Sequence, residues 1–339
     1  MTILVTGGTG YIGSHTVVEL INAGHEVVIV DNLSNSSEVV LDRIKTITGT
    51  KPVFYKLDVA DHLKLSTVFL KHKFKAVIHF AALKAPAVSV QNPVLYYHNN
   101  LDSTLVLATV MQEQHVKKLV FSSSAAVYGE PQQPKLSEDD NALNATNPYG
   151  QSKVMCERIW QDIARSDSEM QITLLRYFNP VGAHKSGLIG EDPNGPPNNL
   201  VPYISQVAVG KLELLSVFGD KYSTPDGTGI RDYIHIADLV SGHMAALEHE
   251  PPAREAAVYN LGTGRGYSVL ETIAAFEKAS GKKIPYKIVQ PRPGDIAECF
   301  ADPSKANREL GWQARCSIDE MCEDAWRWQS QNPHGYTRQ

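Results

Sequence analysis

A glycine-rich turn between an apolar run and a helix-like segment constrains the fold of this chain more than any other feature. Residues 2–13 read TILVTGGTGYIG, with Gly7, Gly10 and Gly13 in a G-x-x-G-x-x-G spacing. Glycines at this spacing permit a tight turn and let a pyrophosphate approach the N-terminus of the following helix. Because glycine-rich turns are common, the prediction depends on what surrounds this one.

An acidic residue follows where a dinucleotide-binding turn requires one. The second apolar run, HEVVIVDN at 25–32, ends in Asp31 and Asn32. A carboxylate at this point can bind the adenosine ribose hydroxyls and repels a 2′-phosphate. No arginine follows in DNLSNSS at 31–37. The first strand–helix–strand unit is therefore predicted to bind NAD in preference to NADP.

Short β-branched runs alternate with helical segments through residues 1–180. The predicted strands lie at 2–7, 25–32, 52–59, 75–82, 117–124 and 172–182. The predicted helices lie at 11–23, 61–72, 95–114 and 149–165. The strands are nearly continuously apolar, as in a parallel sheet covered on both faces. This alternation predicts an α/β fold with a doubly wound parallel sheet, a Rossmann-type NAD-binding domain.

Residues 181–339 have a different texture. GEDPNGPPNNL (190–200) and GDKYSTPDGTG (219–229) are rich in glycine and proline and predict ordered loops. Short helices and strands are interleaved with them, at 201–210, 236–248, 257–262 and 268–280. We expect a smaller α+β substrate-binding lobe, with some segments near 230–262 packed back on the first domain.

Composition and charge argue against several classes of protein. The 339 residues are 42% hydrophobic and 20% charged, with a formal net charge of −5, which does not suit a nucleic-acid-binding surface. No apolar stretch approaches the roughly 20 residues of a membrane span, and we expect no signal peptide. The four cysteines and twelve histidines show no metal-binding spacing. We therefore expect a cytoplasmic protein with reduced thiols, no metal, no nucleic acid and no membrane partner.

A tyrosine and a lysine behind a proline point to chemistry. In NPYGQSK, Asn147 can cap a helix and Pro148 suits its first turn, so Tyr149 and Lys153 stand one turn apart on one face. On a solvated helix this pair would carry no function. Beside a nicotinamide ring it makes a general base, because both cations favour the phenolate. Lowering a tyrosine pKa by ~3 units takes ~4 kcal/mol.

Other strand ends add candidate site residues. SSSAAVYG (122–129) ends the fifth strand, where Ser124 can bond a reacting oxygen or merely cap backbone. Asp58 ends the third strand, beside the expected adenine, with helix capping as the alternative. The small residues of FAALKA (80–85) would let a cofactor lie flat across the carboxyl edge of the sheet.

These motifs together resemble the extended short-chain dehydrogenase/reductase superfamily. The glycine-rich turn, SSSAAVYG and NPYGQSK are shared across it, whereas the stretches at 177–200 and 226–239 are similar to those of its hexose-nucleotide epimerases. The resemblance covers essentially the whole chain. It implies epimerisation at C4 of the hexose of UDP-galactose and UDP-glucose, through a transient 4-keto sugar and with bound NAD.

The resemblance also implies which residues form the site. The expected catalytic residues are Ser124, Tyr149 and Lys153. The expected cofactor-binding residues are Gly7, Gly10, Tyr11, Ile12, Gly13, Asp31, Asn32, Asn35, Ser36, Asp58, Val59, Phe80, Ala81, Lys84, Asn99, Ser122, Tyr149, Lys153 and Phe178. The expected substrate-binding residues are Ser124, Tyr149, Asn179, Asn199, Leu200, Phe218, Arg231, Arg292, Asp295 and Cys299.

Three of these substrate residues carry a chemical argument. Arg231 and Arg292 suit a diphosphate, since guanidinium groups meet phosphate oxygens bidentately. By the resemblance, Cys299 lines the sugar pocket, and a small residue there implies that UDP-N-acetylglucosamine and UDP-N-acetylgalactosamine are also accepted. The alternative is that Cys299 is only a buried thiol and pocket size is set elsewhere.

Three other functions stay open on the same scaffold. A nucleotide-sugar 4,6-dehydratase or a uronate decarboxylase would carry acidic residues directly after Ser124, where this chain has Ala125 and Ala126. A dehydrogenase that releases its reduced cofactor would share the same site residues. A non-catalytic NAD-sensing module would not need Tyr149 and Lys153.

The resemblance implies a homodimer formed through segments 95–114 and 149–165. The apolar residues that these segments offer are Leu101, Leu105, Val106, Met155, Ile159 and Ile163. Burial of the same residues within the monomer is the alternative.

Overall fold

The computed structural model describes residues 1–131, 133–140, 143–195, 197–292 and 295–336. Its strands are β1 (Thr2–Thr6), β2 (Glu26–Asp31), β3 (Val53–Lys56), β4 (Ala76–His79), β5 (Lys118–Ser122), β6 (Lys135–Leu136), β7 (Gln171–Tyr177), β8 (Asn179–Val181), β9 (Leu215–Phe218), β10 (Ile230–His235), β11 (Ala256–Leu261), β12 (Gly266–Ser268), β13 (Tyr286–Val289) and β14 (Glu298–Ala301). Pro293 and Gly294 of the RPGD motif lie outside the described residues.

Its α-helices are α1 (Tyr11–Asn22), α2 (Val39–Thr48), α3 (His62–Lys71), α4 (Pro86–Gln91), α5 (Pro93–Tyr97), α6 (Ser103–Glu113), α7 (Pro148–Ser166), α8 (Leu200–Ala208), α9 (Ile236–Glu248), α10 (Val269–Ser280), α11 (Ser304–Glu309) and α12 (Ile318–Gln331). A π-helical turn spans His98–Asp102 and a 3₁₀ turn spans Ala125–Tyr128. None of the helices in this described part is both long and apolar enough to cross a membrane.

A seven-stranded sheet in the order β11-β7-β5-β4-β1-β2-β3 confirms the predicted α/β fold. The strands from β7 to β3 pair in parallel. The order runs in opposite directions on the two sides of β1, and ligands bind outside the carboxyl ends of strands at such a switch point. The inner strands are buried through residues such as Leu4, Val77 and Leu119, none of which is exposed. The sheet therefore fixes the place of the candidate site.

Two predicted elements differ from the structure. The helix predicted over 95–114 is interrupted by the π-helical turn His98–Asp102. The strand predicted over 172–182 is two strands, because β7 pairs with β5 in the large sheet and β8 pairs with β10 in another. Apolar patterning does not reveal a change of pairing partner within one run.

Two compact units divide the chain. The first contains residues 1–129, 138–177 and 240–259, and the second contains 130–137, 178–239 and 260–339. The predicted domain boundary near residue 180 stays a prediction.

The second unit has its own sheets and core. One sheet runs β12-β10-β14-β6, with β8 also paired to β10, and another pairs β13 with β9. Its core contains Ile204, Phe276 and Cys322, none of which is exposed.

Candidate active site

The glycine-rich turn can accommodate a pyrophosphate because side chains are excluded from it. Gly7 has φ +70°, and a Cβ there would lie 2.8 Å from the Ala81 nitrogen. A Cβ on Gly13 would lie 2.2 Å from the Gly7 oxygen. The N-cap of α1 is Gly10, which offers no side-chain cap. The first N–H groups of α1 therefore stay available to an anion, and the turn fits the predicted dinucleotide.

Asp31 is held at the end of β2. Its carboxylate accepts hydrogen bonds from the Thr9 nitrogen at 3.2 Å, the Leu33 nitrogen at 2.9 Å and Ser36 Oγ at 3.1 Å. These bonds aim a fixed negative charge at the rim of the glycine-rich turn. A 2′-phosphate placed there would meet that charge, which is the basis of the predicted preference for NAD.

Asp58 does not cap the helix that follows β3, which was the alternative role considered for it. Asp61 is the N-cap of α3 and accepts from the Lys64 nitrogen at 3.1 Å. Asp58 accepts instead from Asn32 Nδ2 at 2.9 Å and from the Ala60 nitrogen at 2.9 Å. The ends of β2 and β3 are thus tied together where the adenine is expected.

The remaining predicted cofactor residues have different degrees of exposure. Half-buried side chains belong to Tyr11, Ile12, Phe80, Ala81 and Asn99, and exposed ones to Asn35 and Lys84. Val59 is only 3% exposed and packs in the core, so only its backbone can reach a ligand. Phe178 is also buried, and it belongs to the second unit.

Tyr149 and Ser124 meet at the start of α7. The Asn147 side chain accepts from the Gly150 nitrogen at 3.0 Å and Pro148 begins the helix, so the predicted cap is confirmed. Burial raises the pKa of Tyr149, whereas the nearby Ser124 hydroxyl lowers it and Tyr96 raises it. Because burial penalises the charged form, the expected phenolate depends on the favourable effect of two cations, Lys153 and a bound nicotinamide ring.

Lys153 lies one turn along the same helix. Its Nζ donates to the Ser122 carbonyl at 2.7 Å and lies 4.9 Å from the centroid of the Phe121 ring. Burial lowers the pKa of Lys153 to about 8, against the opposing effects of Cys156 and Glu157. The ammonium form therefore persists at neutral pH in a site where charges interact strongly.

A buried polar cluster lies beside this pair, and the sequence reasoning missed it. Glu157 follows Lys153 by four residues and pairs with Arg176 at 2.7 Å, with both side chains under 5% exposed. Ser123 Oγ donates to Glu157 at 2.5 Å. The available signal was the spacing of 149, 153 and 157, which places three polar residues on one helical face.

The predicted substrate residues lie in the second unit, except for Ser124 and Tyr149. Arg231 and Asp295 form an ion pair at 3.0 Å. The Arg292 guanidinium lies 3.8 Å from the centroid of the Phe218 ring. Two arginines and an aromatic ring together suit a nucleoside diphosphate.

Cys299 belongs to the same unit. It lies on β14 opposite Arg231 of β10 in the strand register and is partly buried. Burial raises the pKa of its thiol to about 11, which Arg231 opposes and Asp232 reinforces, so the thiol is uncharged at neutral pH.

The other predicted substrate residues of this unit lie at the ends of elements. Asn199 donates to Glu191 at 3.1 Å, Leu200 begins α8 and Asn179 begins β8.

Comparison with known proteins places the chain among nucleotide-sugar enzymes. The family model described as GDP-mannose 4,6 dehydratase matches residues 4–325. A UDP-glucose 4-epimerase of Bacillus subtilis is 60% identical over 336 residues, which cover 99% of each chain. A crystal structure of UDP-glucose 4-epimerase from Bifidobacterium longum in complex with NAD⁺ and UDP is 53% identical, with a TM-score of 0.95 over 99% of this chain and 100% of that one. A Stenotrophomonas maltophila UDP-glucose 4-epimerase with NAD and formylated UDP-arabinopyranose is 49% identical, with a TM-score of 0.95 over 98% and 99% of the two chains.

Proposed function

Since the chain belongs to the UDP-glucose 4-epimerases of the extended short-chain dehydrogenase/reductase family, we propose that Tyr149, Lys153 and Ser124 are its catalytic residues. The chain is an NAD-dependent enzyme that epimerises C4 of a UDP-hexose. The observation that carries the assignment of residues is the placement of buried Tyr149 and Lys153 one helical turn apart on α7, with Lys153 Nζ bonded to the Ser122 carbonyl two residues before Ser124.

Tyr149 acts as the general base that takes the proton of the sugar 4′-hydroxyl, while Ser124 holds the same oxygen. Bound NAD, held by the glycine-rich turn and Asp31, would supply an acceptor for the C4 hydride and a donor of the same hydride to the opposite face of the sugar. Lys153 keeps a positive charge near the phenolate, and a charge in this dry site has a larger effect than in water. Arg231 and Arg292 hold the diphosphate, so that the 4-keto sugar can turn over without leaving.

The dehydratase in the name of the matching family model is a rival reading of the same scaffold. Removing water from a keto sugar requires an acid and a base beside the sugar. The two residues after Ser124 are Ala125 and Ala126, which can supply neither. These two positions support epimerisation over elimination.

We expect purified protein to convert UDP-galactose to UDP-glucose with no added nicotinamide cofactor and no release of NADH, because the hydride leaves and returns within one turnover. Products are identified by chromatography, and NADH is followed by absorbance. A 4-keto-6-deoxy sugar would support the dehydratase instead. NADH formed in proportion to substrate would support a dehydrogenase.

We propose further that the substrate range includes UDP-N-acetylglucosamine and UDP-N-acetylgalactosamine. Cys299 is small, uncharged at neutral pH and placed opposite Arg231. A thiol leaves room for an acetamido group beside the sugar, whereas a larger ring would fill that volume.

A second copy of this chain is the proposed partner. Exposed apolar side chains lie on α4 to α7, with Val90 62%, Val94 67%, Leu95 55%, Leu105 48% and Met155 43% exposed. Helices α4 and α5 and the π-helical turn pack against α7, and α6 packs against the same π-helical turn; on this basis we assign the five side chains to one proposed interface. A cluster of exposed apolar residues is typical of an interface.

Only part of the predicted helix faces is available for this interface. Leu101, Val106 and Ile163 pack against the core of the first unit, which is the alternative considered for them. Leu105 and Met155 are exposed, and Ile159 is half-buried. The dimer surface therefore involves α4 and α5 more than the sequence suggested.

Leu105→Glu is expected to convert the dimer to monomer, because a carboxylate would be buried in an apolar interface without a partner. Sedimentation velocity measures the change. Ile288→Glu on β13 is the control, since Ile288 is also 48% exposed but lies in the second unit; it should leave the dimer intact. A monomeric unmodified protein, or a dimeric Leu105→Glu variant, would contradict the proposed interface.

A further inference from the structure

Glu157 occupies the third turn of the helical face that carries Tyr149 and Lys153. Its side chain is buried, and a buried carboxylate is stable only with partners. One partner follows strand β5 and the other lies on the neighbouring strand β7. The first is Ser123, directly after the last residue of β5, which donates to Oε1 at 2.5 Å. The other is Arg176 on β7, whose Nε and NH2 donate to Oε1 and Oε2 at 2.9 and 2.7 Å.

Ser123 lies between two residues that touch the proposed catalytic pair. The carbonyl before it, on Ser122, accepts from Lys153 Nζ. The hydroxyl after it, on Ser124, is close enough to Tyr149 to lower the pKa of that phenol. The bond from Ser123 to Glu157 therefore fastens α7 to the end of β5 midway between the two contacts that set the catalytic geometry.

The Glu157–Arg176 ion pair also contacts the far end of the segment 123–128, which begins at Ser123. The 3₁₀ turn Ala125–Tyr128 follows Ser124 directly. Arg176 NH1 donates to the Tyr128 hydroxyl at 3.1 Å, and the guanidinium lies 5.0 Å from the centroid of the Tyr128 ring. Glu157 pairs with Arg176, and Arg176 in turn bonds to Tyr128. Segment 123–128 is therefore bonded to this ion pair at both ends, through Ser123 and through Tyr128.

We propose that Glu157, paired with Arg176, is a positioning residue for the epimerase reaction, holding segment 123–128 so that Ser124 and the Ser122 carbonyl stay aligned with Tyr149 and Lys153. The inference rests on the catalytic roles proposed above. It differs from a purely stabilising ion pair in one respect: loosening the Ser123 contact should slow chemistry more than it weakens substrate binding or the fold.

Ser123→Ala is the sharpest variant. It removes one hydroxyl and leaves the Glu157–Arg176 pair intact, whereas Glu157→Gln would leave Arg176 charged and buried without its counter-charge. In holoenzyme of equal NAD content, kcat for UDP-galactose should fall ~10-fold, with KM within about twofold, because small misplacements of catalytic groups cost rate. Thermal unfolding checks the fold.

Ser205→Ala is the matched control. Ser205 is buried on α8 of the second unit, and its hydroxyl donates to the Val201 carbonyl one turn back in the same helix. This variant should keep full kcat. If Ser123→Ala keeps kcat within about twofold of the unmodified enzyme, or if both serine variants lose activity equally, the positioning role is overturned.

A double-mutant cycle with Tyr149→Phe separates this inference from the proposed function. If Ser123 acts through the alignment of Tyr149, its ~10-fold effect should shrink to about twofold once the phenol is gone. An equal effect in both backgrounds would overturn the positioning role while leaving Tyr149 as the base. Full activity of Tyr149→Phe alone would instead refute the catalytic assignment, and the positioning role with it.

Discussion

Tyr149→Phe is expected to lower kcat for UDP-galactose by at least ~10²-fold, because it removes the general base and leaves the ring in place. Tyr149 is buried, so no solvent-exposed group can replace its hydroxyl. The residual rate should also lose the pH dependence that ionisation of the phenol imposes. Initial rates across a pH series, at saturating substrate, measure both effects.

Tyr259→Phe provides the matched control. Tyr259 is 1% exposed in the first unit, and its hydroxyl is hydrogen-bonded to His249 Nε2 at 3.0 Å. Like Tyr149→Phe, this variant removes a buried phenolic hydroxyl, but at a position that is not part of the candidate site. Its kcat should therefore equal that of the unmodified enzyme. NAD content is measured for each variant by mass spectrometry after denaturation. Near-normal turnover of Tyr149→Phe at full NAD content would exclude Tyr149 as the base.

Local signals in the sequence predicted the features that depend on neighbours in the chain. The turn from Gly7 to Gly13, the strand end at Asp31 and the cap at Asn147 each need only a few adjacent residues to be recognised. A glycine that must adopt a positive φ, or a residue that caps a helix, can be recognised from the residue type at its own position. For this reason the α/β fold and the turn that fits NAD could be predicted.

Features that depend on distant partners could not be predicted. Ser123 and Glu157 are 34 residues apart, and Glu157 and Arg176 are 19 apart. In sequence, Glu157 has the appearance of one more charge on a helix. The change of sheet between β7 and β8 also follows from pairing with β10, about 50 residues later in the chain. Periodicity reports the burial of a residue and does not report which residue covers it.

The Tyr149 pKa shows the same limit in electrostatic terms. The helical spacing brings Lys153 near Tyr149, and this ammonium together with a bound nicotinamide ring is expected to lower the pKa of the phenol. The structure shows burial raising it, with the Lys153 ammonium bonded to the Ser122 carbonyl. Desolvation of a group depends on the whole packed environment, so spacing alone could not predict its size.

Cys299→Tyr is expected to lower kcat/KM for UDP-N-acetylgalactosamine by at least ~10²-fold while changing that for UDP-galactose by less than ~3-fold, because a phenol would fill the space that the acetamido group needs. Cys299 lies opposite Arg231, one of the proposed diphosphate ligands, and it is partly buried. A bulky side chain there could lower activity either by crowding the sugar or by destabilising β14. Rates with both substrates on the same preparation separate these two effects, since a damaged fold would slow both reactions.

Cys299→Ser is the control for chemistry as opposed to volume. Serine is close to cysteine in size and has no thiol, so both substrates should react as with the unmodified enzyme if volume alone matters. If Cys299→Ser loses the N-acetylated substrates, the thiol itself is required. If the unmodified enzyme fails to turn over UDP-N-acetylgalactosamine at concentrations that fully epimerise UDP-galactose, a small residue at 299 does not determine the substrate range. In that case the volume of the sugar pocket is set elsewhere.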